Sequence, residues 1–353
     1  MLDTNGKIRF WNLARERNCI VLEEKFKEKM ANLLLKVCKT KYQIAKRTGV
    51  SRRTFSKLLN EKYPKVTCRI IKCLGKFLID NGHNEFNLAE IEKNIIWIGA
   101  SQGVGICNPK LPFNFTTQSG ARFLSAISGD GCITRGSRSR NHIGYGTLIY
   151  TNSNKSLQNA VIEDAINIFG GNNDLATTKG IYVFFTSICR DALEIITDFK
   201  GMKSENNPYV PNFVFENDKL MCSWIEQIIA DEGQIRNYPK QYEKSIVWRR
   251  SVDMTNIYFD FKSEYENATN KSKVLQEIGK IRKCNLIEGE KKMLDKLYIS
   301  YILKPISIYF TKDEKVKLRW EIRIGRKENL RRLRKLIKIP HDEKDKKFTT
   351  MLK

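Results

Sequence analysis

Two short stretches, 122–133 and 224–235, share one plan that constrains everything around them. Each is an apolar run of helical length closed by an acid and a glycine, Asp130-Gly131 in one and Glu232-Gly233 in the other. Residues of strand character follow in both. A carboxylate in the last turn of a helix stands at the negative end of the macrodipole and needs a cation nearby. The two glycines are expected to adopt the left-handed conformation that lets a chain leave a helix sharply. Ser125, Ala126, Gly129 and Ala230 are small, which leaves room for two such helices to approach closely. One acid-Gly after an amphipathic helix is an ordinary turn, but two, each opening a strand-rich stretch, are a repeat.

From Thr117 the plan runs twice. The first copy reads as helix 120–130, strands 132–136 and 143–151, helix 154–169, strands 174–178 and 180–186, and helix 188–199. After Pro208 and Pro211 come helix 219–232, strands 234–237 and 244–251, helix 288–302, strands 304–311 and 316–324, and helix 327–338. Residues 253–286 read as an insertion of extra helix. Upstream, residues 21–80 read as consecutive helices, and 42–59 is similar to a helix-turn-helix of the phage-repressor type. Ala45 is small where the helices cross, Gly49 takes the turn, Val50 plugs the core and Ser51 caps the second helix. Phe55, Leu58 and Leu59 face inward, leaving Arg52, Arg53, Thr54, Ser56 and Lys57 for a DNA groove.

The paired motif resembles the LAGLIDADG homing endonucleases, in the form where one chain carries both copies, over about 105–345. Glu226 and Gln227 stand where that family prefers small residues, and Glu232 replaces the commoner Asp. The resemblance implies an α+β fold of two pseudo-symmetric αββαββα half-domains, at 119–210 and 211–345. A small all-α helix-turn-helix domain (1–85) and a connector (86–118) precede them, and 346–353 is a tail. It further implies motif helices side by side, with Asp130 and Glu232 as catalytic acids that each serve one strand of double-stranded DNA. Mg²⁺ is the implied cofactor, held by Asp130, Glu232, Gly129 and Asp231. Asp231 offers its carbonyl, or its carboxylate if the register slips by one. Lys317, Arg323 and Lys327 are candidates for the basic side chain that helps at the transition state. The strands would form a sheet laid in the major groove, with Arg135, Arg138, Arg140, Arg236, Arg249, Arg250, Lys317, Arg319 and Arg323 as DNA contacts. Two halves of different sequence imply a monomer on a long asymmetric target. The termini do not fit an intein, so a free-standing or intron-encoded protein is expected. An RNA maturase bound to intron RNA, or a transcriptional regulator on a catalytically silent copy of the fold, are the alternatives.

Charge points the same way. A formal net charge of +24 and a pI near 9.6 call for a polyanionic partner. No apolar run approaches membrane length and no apolar leader opens the sequence, so nucleic acid and a cytoplasmic location are expected. Nine cysteines without a Cys-x-x-Cys pair, and three isolated histidines, argue against a zinc site, a histidine nuclease or a Ser-His-Asp triad. Two stretches mislead. Residues 95–106 are similar to a dehydrogenase glycine loop but lead into prolines instead of a helix. Gly180-Ile-Tyr182 matches half of a GIY-YIG signature and reads as ordinary strand.

Overall fold

Residues 5–13, 18–59, 64–101, 103–134, 138–139, 142–143, 146–197, 199, 202–238 and 243–353 are described in the computed structural model of the chain. The first part runs β1 (Lys7–Ile8), β2 (Asn18–Leu22), α1 (Glu24–Cys38), α2 (Lys41–Thr48), α3 (Arg52–Leu58), β3 (Val66–Thr67) and α4 (Cys68–Asp80). It continues with α5 (Leu88–Lys93), β4 (Ile95–Ala100), β5 (Gly105–Cys107) and β6 (Phe113–Asn114). An antiparallel sheet in the order β3-β2-β4-β5 underlies the helices, which corrects the expectation of an all-α domain followed by a connector. The reason lies in 18–22, where Cys19, Ile20 and Leu22 are all buried: five residues are too few for a helix but suffice for a central strand covered on both faces. Residues 66–67 and 95–100 supply its neighbours, and 105–107 pair with the latter. Gly99 and Gly105 are glycines because the Trp97 ring lies against both, 2.6 and 2.3 Å from where a Cβ would stand.

The helix-turn-helix forms through the expected local chemistry. Thr40 Oγ1 accepts from Gln43 N at 3.2 Å, Gly49 closes α2 at φ 72°, and Ser51 Oγ accepts from Thr54 N at 3.1 Å. Val50, Phe55 and Leu58 are buried. Leu59 is not, because α3 ends at Leu58 and the next residue leaves the inward face.

The repeat follows. Its first copy is α6 (Gln118–Gly129), β7 (Gly131–Ile133), a short hairpin of β8 (Arg138–Ser139) and β9 (His142–Ile143), and β10 (Leu148–Thr151). Then come α7 (Lys155–Phe169), β11 (Ala176–Lys179), β12 (Tyr182–Phe185), α8 (Ser187–Thr197) and α9 (Lys203–Asn206). The second copy begins with α10 (Asp218–Asp231), β13 (Gln234–Tyr238) and β14 (Glu243–Asp253). It ends with α13 (Asn285–Lys296), β15 (Ile302–Phe310), β16 (Val316–Ile324), α14 (Lys327–Leu336) and α15 (Asp342–Leu352), after the inserted α11 (Thr255–Asn267) and α12 (Lys271–Ile281). The two four-stranded antiparallel sheets have one topology, β11-β12-β10-β7 and β15-β16-β14-β13. The molecule is therefore a mixed α+β protein built on small antiparallel sheets. Among the described residues, no helix is long and apolar enough to cross a membrane.

Two boundaries move, and the insertion takes a definite form. The supposed tail belongs to α15, pinned by buried Phe348 and Met351 and by Arg334 gripping Asp345 with both terminal nitrogens at 2.5 and 3.0 Å. Helix α13 stops at Lys296 because Tyr298 turns left-handed at φ 56°. The insertion is two helices, and Gly279 of the second lets the Trp320 ring come within 3.0 Å of a Cβ site.

The motif glycines have a different purpose from the one expected. Neither Gly131 nor Gly233 has a positive φ. A Cβ on Gly131 would lie 2.5 Å from Ile127 Cα, and one on Gly233 the same distance from Ile229 O. The strand leaves each helix so tightly that it runs against the preceding turn. Gly131→Ala is therefore expected to destabilise the fold by about 1–3 kcal/mol, the cost of forced overpacking, in a denaturant titration.

Candidate active site

Helices α6 and α10 pack against each other. Ser125 Oγ donates to the Trp224 carbonyl at 2.8 Å in a fully buried contact, and a Cβ on Gly129 would sit 3.2 Å from Asp231 Oδ2. Small side chains at Ser125 and Gly129 thus set how near the backbones come, as the sequence predicts. The seam brings Asp130, Asp231 and Glu232 together at the helix ends, each half-buried. Asp130 and Glu232 are the C-cap residues of their helices, so they are equivalent positions; Asp231 matches Gly129.

The equivalence extends to what holds each acid. Tyr150 stands opposite Gly131 on β10, and because Gln234 pairs with Val247, Trp248 stands opposite Gly233 on β14. Two residues further along, Asn152 Nδ2 donates to Asp130 Oδ2 at 2.9 Å and Arg250 Nη1 donates to Glu232 Oε1 at 2.8 Å. Each half also reaches across the seam. Tyr150 OH donates to Asp231 Oδ1 at 2.6 Å, and Arg250 Nη1 donates to the Ser128 carbonyl at 2.7 Å. Arg250 is anchored from behind by the fully buried Glu290, at 2.6 and 3.1 Å, which also accepts from Trp248 Nε1 at 2.7 Å.

Two lysines supply the cations that acids at helix C-termini require. Lys203, at the start of α9, donates to the Gly129 carbonyl. Lys344, in the first turn of α15, donates to the Ile229, Ala230 and Asp231 carbonyls at 3.1, 2.6 and 3.2 Å. They are the same device in both halves, a lysine from the helix after the last helix of the repeat unit. Reading the sequence missed both and named Lys317, Arg323 and Lys327 instead. Nothing local marks Lys203 or Lys344; only repeat alignment past α8 and α14 would have found them.

Electrostatics follow from this crowding. Burial pushes Asp130 above the usual carboxylate range, opposed by Lys203, Asn152, Lys344 and Arg250. Burial and then the neighbouring Asp130 charge raise Asp231 to about 7, against hydrogen bonds from Tyr150 and Gln227. Glu232 is raised by burial and held back by Arg250 and Lys203. Burial lowers Lys203 to about 8. A cavity of about 350 Å³ opens beside Glu232, lined by Ser128, Cys132, Lys203, Arg249, Arg250 and Lys317 among others.

The residues expected to contact DNA divide. Arg250 is corrected: it is 6% exposed and structural. From Trp248 onward its strand alternates, with Trp248, Arg250 and Val252 buried and Arg249 exposed, so Arg249 and Arg250 point to opposite faces. The outward face carries a lattice. Arg249 Nε and Nη2 both donate to Glu321 Oε2 at 3.0 Å, and Arg323 Nη2 donates to Oε1 at 3.0 Å. Burial raises Glu321, but these hydrogen bonds outweigh it and hold the carboxyl below its usual range. Arg236 donates to Gln234 at 3.1 Å, and Arg319 lies 4.6 Å from the Tyr309 ring centre. Lys317 lines the cavity and Lys327 is exposed at the start of α14. On α3, Arg52 and Arg53 are exposed while Thr54 and Ser56 are half-buried. Arg135 and Arg140, and the side chains of Lys57 and Arg138, lie outside the described residues.

Among the described residues, no three His, Cys, Asp or Glu side chains converge to hold a metal by themselves. The donor set nevertheless suits a hard ion that takes one or two carboxylates and fills its shell with water and phosphate oxygens. Hydrogen bonds reach one oxygen of Asp130 and one of Glu232, and none among the described residues reaches the other. No protein-family model matches the sequence, and no curated protein shows significant similarity to it.

Proposed function

We propose that this chain is a metal-dependent, site-specific DNA endonuclease of the LAGLIDADG kind, cutting both strands of a long asymmetric duplex as a monomer. One observation carries the reading: two acid-ended helices, equivalent in position, meet at a seam and present their carboxylates together at its end. Two sheets of identical strand order beside that seam support the reading, as a repeated αββαββα plan would require. A pure binding protein gains nothing from acids turned toward phosphates.

Asp130 and Glu232 are the proposed ligands; the Gly129 and Asp231 carbonyls beside them already accept from Lys203 and Lys344. Magnesium, when bound there, neutralises phosphate charge and lowers the pKa of a bound water. The chain does the rest. Asn152 and Arg250 fix the acids' rotamers; Lys203 and Lys344 offset the negative helix ends and bring positive charge to where a phosphate would lie. The outward arginines of β14 and β16 face the duplex, where a guanidinium reads guanine and about half or more of all contacts go to the backbone.

A second reading is a DNA-binding regulator on a silent copy of this fold. The ion pair between Glu232 and Arg250 favours it, because a carboxylate already neutralised binds a metal less readily. Incubation with a randomised duplex library, with Mg²⁺ or with EDTA, separates the two. Metal-dependent double-strand ends support the nuclease, tight duplex binding without ends supports the regulator, and preference for folded intron RNA supports a maturase.

Glu321→Gln probes the arginine lattice. Released from its carboxylate, Arg249 is expected to seek a phosphate, while Arg323 keeps its ion pair with Glu243 at 3.3 Å. Affinity for unrelated duplex should then rise several-fold and the logarithmic salt slope steepen by about one unit per arginine freed. An unchanged slope in anisotropy titrations would show that the lattice does not face DNA.

A further inference from the structure

Among the described residues, the helix-turn-helix is joined to the repeat by packed elements. Strand β6, which leads into α6, pairs with β1, and Lys110 N donates to the Phe169 carbonyl at 2.9 Å at the end of α7. Asn18, fully buried on β2, donates to the equally buried Asp191 of α8 at 3.0 Å. Phe113 meets Phe169 edge-on at 4.9 Å, and Phe169 meets Phe123 of the motif helix α6 at 5.9 Å. Residues of α2, α3 and α4 share one continuous hydrophobic core with both motif helices. A flexible linker lets two modules adapt to different spacings, whereas packed strands and an interior hydrogen bond do not.

Arg52 and Arg53 are exposed on α3, and Tyr42 carries the Arg52 guanidinium 5.9 Å above its ring at 61% exposure. This basic face belongs to a part that shares one hydrophobic core with the sheet carrying the arginine lattice. We infer that the helix-turn-helix is a second reading head on the same duplex, held at a fixed spacing from the sequence gripped by the sheets. The inference rests on the duplex-DNA reading above but not on cleavage. Two surfaces on one rigid body reinforce each other by raising effective concentration, and do so at one geometry alone. A lone helix-turn-helix ordinarily needs a second copy to bind specifically; here the sheets take that place.

The experiment selects tight-binding duplexes for the full chain from a random library and measures affinity by anisotropy, without reading cleavage. The expected consensus has two blocks, with the outer one lost in Arg52→Ala/Arg53→Ala at roughly a 10- to 100-fold drop in affinity. Both side chains are exposed, so the variant folds. Inserting five base pairs between the blocks turns the outer one about half a helical turn away. That insertion should cost the wild type as much as the double substitution does, and cost the double variant nothing. Insertions tolerated within twofold would mean a module that moves independently and would overturn the inference. So would a consensus without an Arg52/Arg53-dependent block, or no duplex selected at all. A chain that binds both blocks and never cuts leaves this inference standing while ending the nuclease reading.

Discussion

Asp130→Asn is expected to lower double-strand cleavage by roughly 10³-fold or more, on the order of 4 kcal/mol of barrier, while leaving duplex affinity equal or tighter. The substitution keeps the side chain's shape and its acceptor toward Asn152, so the seam is preserved. It removes a negative charge from a place where phosphates would otherwise be repelled. Glu232→Gln should act in the same direction but also loosen Arg250, so its affinity change is harder to separate from local rearrangement. Single-turnover cutting of a target plasmid beside anisotropy on the same sequence makes the comparison. Wild-type cutting by both variants would remove the acids from the chemistry.

Arg250→Met should cost about 3–5 kcal/mol of folding stability, the penalty for leaving a buried ion without its partner. The orphaned group is Glu290, which has no exposed surface and, among the described residues, would retain only Trp248 Nε1 as a donor. Arg250 also ties the second sheet to the Ser128 carbonyl at the end of α6, so the loss reaches the seam. Adding Glu290→Leu should recover part of the loss, since an apolar pair of similar volume avoids the uncompensated charge. Chemical denaturation of the four proteins gives the coupling energy. If Arg250→Met unfolds within 1 kcal/mol of the wild type, as measured against the pair-replacement background, the buried network is not what joins the sheet to the seam.

Much of this was legible beforehand because it depended on local rules. The acid-ended runs, the turn at Gly49, the cap at Ser51 and most strands of the repeat are set by periodicity and short-range hydrogen bonding. What escaped was long-range. Strand β2 needs partners from 66–67 and 95–100, which no local pattern reveals. Lys203 and Lys344 act on carbonyls 74 and up to 115 positions away. Arg250 is the instructive error. Its inward direction followed from alternation with Trp248 and Val252, and the pull of a basic pair toward a DNA face obscured it. Gly131 and Gly233 were recognised as necessary for the wrong reason: crowding against Ile127 and Ile229 demands them, and their φ angles do not.

The seam also bears on how the chain is made. Ser125 waits for Trp224, 99 positions downstream, and Lys344 arrives later still. At a translation rate of about 5–20 residues per second, α6 spends roughly 5–20 s outside the ribosome with its inner face bare. A nascent first half is thus an unfinished object with an adhesive edge, and cells that produce this protein must shelter that edge or lose chains to premature pairing between neighbours.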